Sequence, residues 1–129
     1  QLSFGMTDMA WHTLTEPFEG DVEQFEAVSM APTQVLPVVS GTAMAPAFGH
    51  IFSGGYAAGY YGYKWAEVLE ADAFSLFKEK GIFNREAASS FRENVLSKGG
   101  TEHPMELYVR FRGHKPETRA LIEKMGLGK

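Results

Sequence analysis

The chain has 129 residues, of which 44% are hydrophobic and 22% charged, and these proportions are typical of a globular domain rather than a disordered chain. Its 12 basic and 16 acidic residues give a net charge of −4 without a basic stripe, which argues against a nucleic-acid partner; its short apolar runs argue against a membrane span. The lack of cysteine excludes disulfides, thiolate metal sites and a cysteine nucleophile, and fits a cytoplasmic location.

The first part of the chain predicts two helices followed by a loop. Apolar residues recur at three- and four-residue intervals over residues 2–14, which is the period of one helix face. Asp21 is suited to cap a second helix over residues 22–29. Residues 30–46 contain three prolines and no sustained period, so we expect a loop there with at most a short helical turn.

The second part predicts four helices, each followed by glycine, because glycine readily adopts the left-handed conformation that stops a helix. Asn84 is suited to cap the second of these four, and Pro104 to begin the third. No run alternates as a strand would, so the predicted fold class is all-α. The four predicted helices cover residues 61–77 before Gly81, 84–96 before Gly99 and Gly100, 104–111 before Gly113, and 116–125 before Gly126.

A glycine- and tyrosine-rich stretch over residues 48–65 carries more chemistry than a core requires. Glycines let the backbone approach a ligand closely or adopt positive φ, and tyrosine hydroxyls can donate to a carbonyl oxygen that gains negative charge. We interpret the stretch as a binding surface; the alternative is an aromatic helix start packed in a core. Tyr61 and Trp65 lie four residues apart and are assigned to packing. The candidate site residues are His50, Gly54, Gly55, Tyr56, Tyr60 and Tyr63.

Other motifs in the chain favour structural roles. The double glycine does not form a phosphate loop, since no strand is predicted before it and no Gly-Lys-Ser or Gly-Lys-Thr follows. His12 and Glu16 have the spacing of two metal ligands, but nothing nearby completes a zinc site, so they are interpreted as a surface pair. His103 and His114 are interpreted as solvated polar residues.

From His50 the chain reads His-Ile-Phe-Ser-Gly-Gly-Tyr-Ala-Ala-Gly-Tyr-Tyr-Gly-Tyr-Lys-Trp-Ala-Glu-Val-Leu, and later Gly-Ile-Phe-Asn, Pro-Met-Glu-Leu and Phe-Arg-Gly. These motifs resemble the C-terminal part of the family that contains thimet oligopeptidase, oligopeptidase A and peptidyl-dipeptidase, which are zinc metallopeptidases. Asp-Met-Ala-Trp-His, from Asp8, resembles the helix that follows the metal-binding helices in that family. The Tyr-Ala-Ala-Gly-Tyr-Tyr variant is most similar to the peptidyl-dipeptidase branch.

The resemblance implies that residues 1–129 are the C-terminal substrate-binding portion of a zinc peptidase catalytic domain, a helical fragment of a larger enzyme. By this likeness His50 contacts a substrate carbonyl and Tyr63 donates to the oxyanion, so both are expected to be catalytic. Tyr56 and Tyr60 are expected to position the peptide, and the flexible double glycine to let the loop close over it.

The sequence also departs from the family, because it contains no His-Glu-x-x-His motif, and the family's third zinc ligand lies upstream of the matching segment. We therefore expect zinc in the intact enzyme, no metal ligand in this chain, and no activity of the chain alone. The expected partners are short peptides, the upstream part of the same peptidase, and further copies of the chain that associate through exposed apolar faces. The alternative is a free-standing, non-catalytic α-helical peptide-binding module. Endopeptidase and dipeptide-releasing activities both remain open.

Overall fold

The structure, a computed structural model, describes residues 1–128, and within that range it contains helices and no strand. The all-α prediction is therefore confirmed. The chain forms two compact units, one of residues 1–64 and one from Trp65 onwards. The helices are α1 (Leu2–His12), α2 (Val22–Met30), α3 (Gly49–Phe52), α4 (Gly62–Lys80), α5 (Arg85–Phe91), α6 (Pro104–Arg112) and α7 (Arg119–Lys124), with 3₁₀ turns at Ala31–Thr33 and Ala45–Ala47 and a π turn at Arg92–Leu96.

The predicted helix caps are present. The Asp21 side chain accepts a hydrogen bond from the backbone N–H of Gln24 at 3.0 Å, and this bond starts α2. The Asn84 side chain accepts one from the N–H of Ala87 at 2.9 Å and starts α5 in the same way. At the end of α6, Gly113 has φ of +88°, a conformation that is costly for residues with a Cβ.

Two predicted helices differ from those observed. The helix that begins after Asn84 is α-helical only to Phe91 and continues as a π turn, in which the N–H of Ser97 bonds to the carbonyl of Arg92 five residues earlier. Apolar periodicity does not distinguish one wider turn from α-helix. The last helix begins at Arg119 rather than at Pro116, since proline fits an extended connection as well as a first helical turn.

The first unit packs α1 against α2 and the segment that follows. Trp11 of α1 meets the rings of Phe25 and Phe18, with centroids 4.2 and 5.1 Å away. Ile51 of α3 is completely buried. The buried carboxylate of Glu26 in α2 accepts hydrogen bonds from the backbone N–H groups at residues 44 and 45, and so fixes the loop immediately before α3.

The second unit is built on α4 from Trp65 onwards. Val68 and Ala71 of this helix pack with Leu121 of α7 in a buried apolar cluster. A buried polar cluster lies on the same helix, where Asp72 accepts a hydrogen bond from the Tyr108 hydroxyl at 2.5 Å. Within residues 1–128 no helix is both long and apolar enough to cross a bilayer.

The assignment of Tyr61 and Trp65 to packing is wrong for the described structure, in which these side chains are 59% and 43% exposed. Helical spacing of two aromatic residues shows that they share a face, but not that a partner covers that face. Several other large apolar side chains are exposed, among them Val35 and Phe83. Self-association through such surfaces remains a prediction.

Candidate functional site

The three predicted site tyrosines lie together in the first unit. Tyr56 stacks on Tyr63 with ring centroids 4.8 Å apart and planes 25° apart. Tyr60 meets Tyr63 edge-on at 5.2 Å. Tyr60 and Tyr63 are half-buried and Tyr56 is 37% exposed, so the cluster is open to solvent rather than sealed in a core. The alternative of an aromatic helix start packed inside a core does not fit this exposure.

The predicted histidine adjoins the same cluster. His50 lies on the short helix α3 and is exposed, with its ring 5.8 Å from that of Tyr56 and 6.2 Å from that of Tyr60. The ring of Phe48 packs against both Tyr60 and His50, with centroids 5.2 Å from the Tyr60 ring and 6.0 Å from the His50 ring. The four predicted side chains, one imidazole and three phenols, span thirteen positions of sequence from His50 to Tyr63. The structure brings them onto one surface.

The environment of Tyr63 favours its neutral, hydrogen-bond-donating form. The pKa of Tyr63 is raised above its ordinary value, first by a hydrogen bond with the Tyr56 side chain and then by burial. The nearby Tyr56 and Tyr60 phenols raise this pKa further, because a second negative charge beside either would be repelled. Tyr63 consequently keeps its proton, and its capacity to donate, throughout the neutral pH range.

Residues 53–61, which connect α3 to α4, form the tyrosine loop, and its adjacent glycines Gly54 and Gly55 differ in their surroundings. A Cβ at Gly54 would lie 2.9 Å from the carbonyl oxygen of His50, so only glycine fits there without a backbone shift. A Cβ at Gly55 would meet no atom within 4 Å. Neither glycine has positive φ, so the positive-φ interpretation is wrong for both. The close approach at Gly54 is to its own chain, and approach of this backbone to a ligand remains a prediction. Closure of the loop over a ligand remains a prediction.

One residue that sequence reasoning missed contacts the loop directly. Asp8 of α1 is completely buried, and its carboxylate accepts hydrogen bonds from the backbone N–H groups of Ala58 and Tyr60 at 2.9 and 2.8 Å. The sequence offers two signals, an acidic residue within an apolar-periodic helix and its place at the start of the Asp-Met-Ala-Trp-His motif, and neither indicates the contact with the loop. His12 lies beside Asp8, with 2.9 Å from Nδ1 to the carboxylate, so the predicted His12–Glu16 pair is replaced by a His12–Asp8 pair.

His103 and His114, which the sequence analysis interprets as solvated polar residues, contact backbone groups close to them in sequence. His103 caps α6, since its Nδ1 accepts a hydrogen bond from the N–H of Met105 at 3.2 Å. His114 Nδ1 lies 2.7 Å from the carbonyl oxygen of Lys115. Within residues 1–128 no three His, Asp or Glu side chains are grouped as ligands of a metal ion, so these residues do not fit zinc.

The model of peptidase family M3 matches residues 1–127 of the chain. The chain belongs to peptidase family M3. This M3 chain is 48% identical to oligopeptidase A of Escherichia coli and 41% identical to the probable cytosolic oligopeptidase A of Arabidopsis thaliana, in each case over 98% of its own length. It is 39% identical to the dipeptidyl carboxypeptidase of Escherichia coli over the same share.

Each of these alignments covers 19% of the relative's length, so the M3 chain spans about a fifth of the curated relatives it matches. The identities are higher to oligopeptidase A than to dipeptidyl carboxypeptidase, which is opposite to the branch expected from the Tyr-Ala-Ala-Gly-Tyr-Tyr variant. A six-residue variant samples too few positions to assign a branch.

Proposed function

We propose that the His50–tyrosine surface binds the backbone of short peptides in a zinc-dependent family M3 peptidase, and that Tyr63 stabilises the oxyanion formed during peptide-bond hydrolysis. The observation that supports this most directly is the convergence of Tyr56, Tyr60 and Tyr63 with His50, at ring separations of 4.8 to 6.2 Å, on an open surface. Membership of a peptidase family supplies the substrate class.

In this proposal each side chain has a separate task. Tyr63 donates a hydrogen bond to the substrate carbonyl oxygen as that oxygen gains negative charge, a contribution typically worth about 2.7 to 4 kcal/mol of the barrier. Its raised pKa suits this task, since a tyrosinate could only accept. Without substrate the Tyr63 hydroxyl donates its one proton to Tyr56, and when the peptide binds the substrate oxygen replaces Tyr56 as the acceptor. Tyr60 and His50 bind the peptide on either side of the reacting carbonyl.

The activated water and its general base are assigned to other parts of a family M3 peptidase, in keeping with the one-fifth coverage of its relatives. We infer that the chain alone does not hydrolyse peptides. A chimaera tests the assignment: this chain replaces the segment of Escherichia coli oligopeptidase A to which it aligns, and cleavage of a fluorogenic oligopeptide is measured. The chimaera is expected to cleave the peptide, and the isolated chain is not.

The matched variants Tyr63→Phe and Tyr61→Phe then separate the catalytic role from general damage. Tyr63→Phe is expected to lower kcat by about 10²- to 10³-fold, because it removes one oxyanion donor. Tyr61→Phe removes an identical group from the preceding half-turn, where the side chain is 59% exposed and outside the cluster, and kcat is expected to stay unchanged. Full activity of the Tyr63→Phe chimaera would contradict the oxyanion role.

A second function is favoured by one observation: the whole aromatic surface is assembled by residues of the first unit. Such a surface can bind peptides without further parts, which is the behaviour of a non-catalytic peptide-binding module. Calorimetric titration of the isolated chain with short peptides distinguishes the two. Binding by the wild-type chain that Tyr56→Phe weakens supports the module, and absence of binding supports a surface that acts only within the larger peptidase.

A further inference from the structure

Asp8 is distant from the tyrosine loop in sequence but lies against its backbone. It sits in the middle of α1, where its side chain is completely buried. One carboxylate oxygen accepts from the N–H of Ala58 at 2.9 Å, and the other accepts from the N–H of Tyr60 at 2.8 Å. Both oxygens are thus used on two amides that flank a single residue, Gly59.

This arrangement needs a carboxylate rather than another polar group. A buried charge is tolerated only where hydrogen bonds or an opposite charge compensate its lost hydration, and Asp8 has two backbone donors and the His12 ring at 2.9 Å. An amide in its place would offer one accepting oxygen, while its NH₂ group would face a second N–H. The pattern of donors therefore matches Asp8 and does not match its nearest neutral analogue.

The turn that Asp8 contacts is strained. Ala58 has φ of +52°, and it is the one non-glycine residue with positive φ in the described part of the chain. Left-handed backbone is disfavoured for alanine because its Cβ crowds the following carbonyl. Such conformations persist where surrounding contacts determine them, and the carboxylate of Asp8 bonds to the N–H of this same residue.

The strained turn leads directly into the site. The N–H of Gly62 donates to the carbonyl of Gly59, and the N–H of Tyr63 donates to the carbonyl of Tyr60. The first residues of α4 are therefore hydrogen-bonded directly to the turn. We propose that Asp8 is a positioning residue that sets the turn and thereby the directions of Tyr60 and Tyr63. The consequence for catalysis rests on the proposed function, whereas the consequence for the turn does not.

The turn is tested on the chain itself by amide hydrogen exchange and by NMR contacts between tyrosine rings. Asp8→Asn is expected to speed exchange of the Ala58 and Tyr60 amides by about tenfold or more and to weaken the Tyr56–Tyr63 ring contacts. Asp72→Asn is the matched control, because Asp72 is a comparably buried aspartate in the second unit, and these amides are expected to be unaffected. Unchanged exchange at both amides in folded Asp8→Asn overturns the proposal.

Two further variants keep the test decisive if Asp8→Asn does not fold. Ala58→Val leaves Asp8 intact but crowds the left-handed residue, and it is expected to shift the NMR signals of Tyr60 and Tyr63 while the α1 signals away from Asp8 stay in place. Ala58→Gly added to Asp8→Asn is expected to restore part of the ring contacts, because glycine adopts positive φ without strain. Wild-type tyrosine signals in Ala58→Val would overturn the proposal.

The chimaera described above separates this inference from the proposed function. Asp8→Asn is expected to lower kcat by about tenfold or more while KM changes less, because a misplaced donor affects the transition state more than binding. If Tyr63→Phe lowers kcat as expected and Asp8→Asn leaves kcat unchanged, the positioning role fails and the proposed function stands. If Tyr63→Phe is fully active although Asp8→Asn disorders the turn, the proposed function fails and the effect of Asp8 on the turn stands.

Discussion

Removal of one hydroxyl in the second unit, in the variant Tyr108→Phe, is expected to lower its stability substantially. The Tyr108 side chain is 9% exposed, and its hydroxyl donates to the Asp72 carboxylate at 2.5 Å. Asp72 is itself 4% exposed, so water cannot replace the lost donor without opening the structure. The ring is kept, and the change therefore isolates the hydrogen bond from apolar packing.

The magnitude follows from the type of bond. Hydrogen bonds to charged groups contribute about 1.5 to 3 kcal/mol, more than neutral ones. Arg112 stays near Asp72 with 3.7 Å from Nε to the carboxylate, and this ion pair leaves the remaining charge partly compensated. We therefore expect Tyr108→Phe to lower the free energy of unfolding by about 2 kcal/mol and Tm by about 8 °C.

From neutral pH upwards, the stability difference between wild type and Tyr108→Phe is expected to depend on pH only in the alkaline range. The pKa of Tyr108 is raised above its ordinary value, chiefly by burial and then by the hydrogen bond to Asp72. A pKa raised in the folded state gives stability that is present below the unfolded pKa of about 10 and is lost as pH rises through the folded pKa. The difference between wild type and Tyr108→Phe should accordingly be constant between about pH 6 and pH 9.

Urea denaturation followed by circular dichroism measures the effect, and Tyr61→Phe is the control. That substitution removes the same atom from a side chain that is 59% exposed, so its effect should stay within about 0.5 kcal/mol. A loss of less than about 0.5 kcal/mol in Tyr108→Phe, measured under the same conditions, would refute the reasoning, since it would mean that the Asp72 bond contributes no more than a surface contact.

Two further substitutions address the tyrosine loop. Tyr56→Phe is expected to move the pKa of Tyr63 down towards its ordinary value, because it removes the hydrogen bond that is the largest cause of the rise. In an alkaline titration the ultraviolet absorbance of tyrosinate should then rise at lower pH, and an unaltered titration would contradict this. Gly54→Ala is expected to shift the imidazole NMR signals of His50, since the new Cβ would lie 2.9 Å from that residue's carbonyl oxygen, whereas Gly55→Ala should leave them in place. Equal shifts in the two variants would show that the close approach at Gly54 is unimportant.

Local features of the fold were predictable from the sequence. Asp21 and Asn84 each act within three residues of their own position, and Gly113 ends a helix through its own φ angle, so short patterns contain the needed information. The surface formed by His50 and the tyrosines also lies within one short stretch of sequence. Its residue types predict a common binding surface, and the structure brings the side chains together.

Features that join distant segments could not be predicted. Asp8 meets Ala58 fifty residues later, and Asp72 meets Tyr108 thirty-six residues later. Helical periodicity places Asp8 and Asp72 on faces of their helices but does not indicate which distant donors reach them. The positive φ of Ala58 was equally hidden, because alanine gives no sign of a left-handed turn.

The bond between α1 and the tyrosine loop has a consequence for protein engineering. Residues 48–63 contain all the predicted site residues, but grafting this segment alone onto another scaffold would omit Asp8, whose carboxylate binds the backbone of the turn. The smallest portable piece of this surface therefore includes the first helix, and recoding the loop for new ligands should hold positions 8 and 58 constant while the aromatic positions are varied.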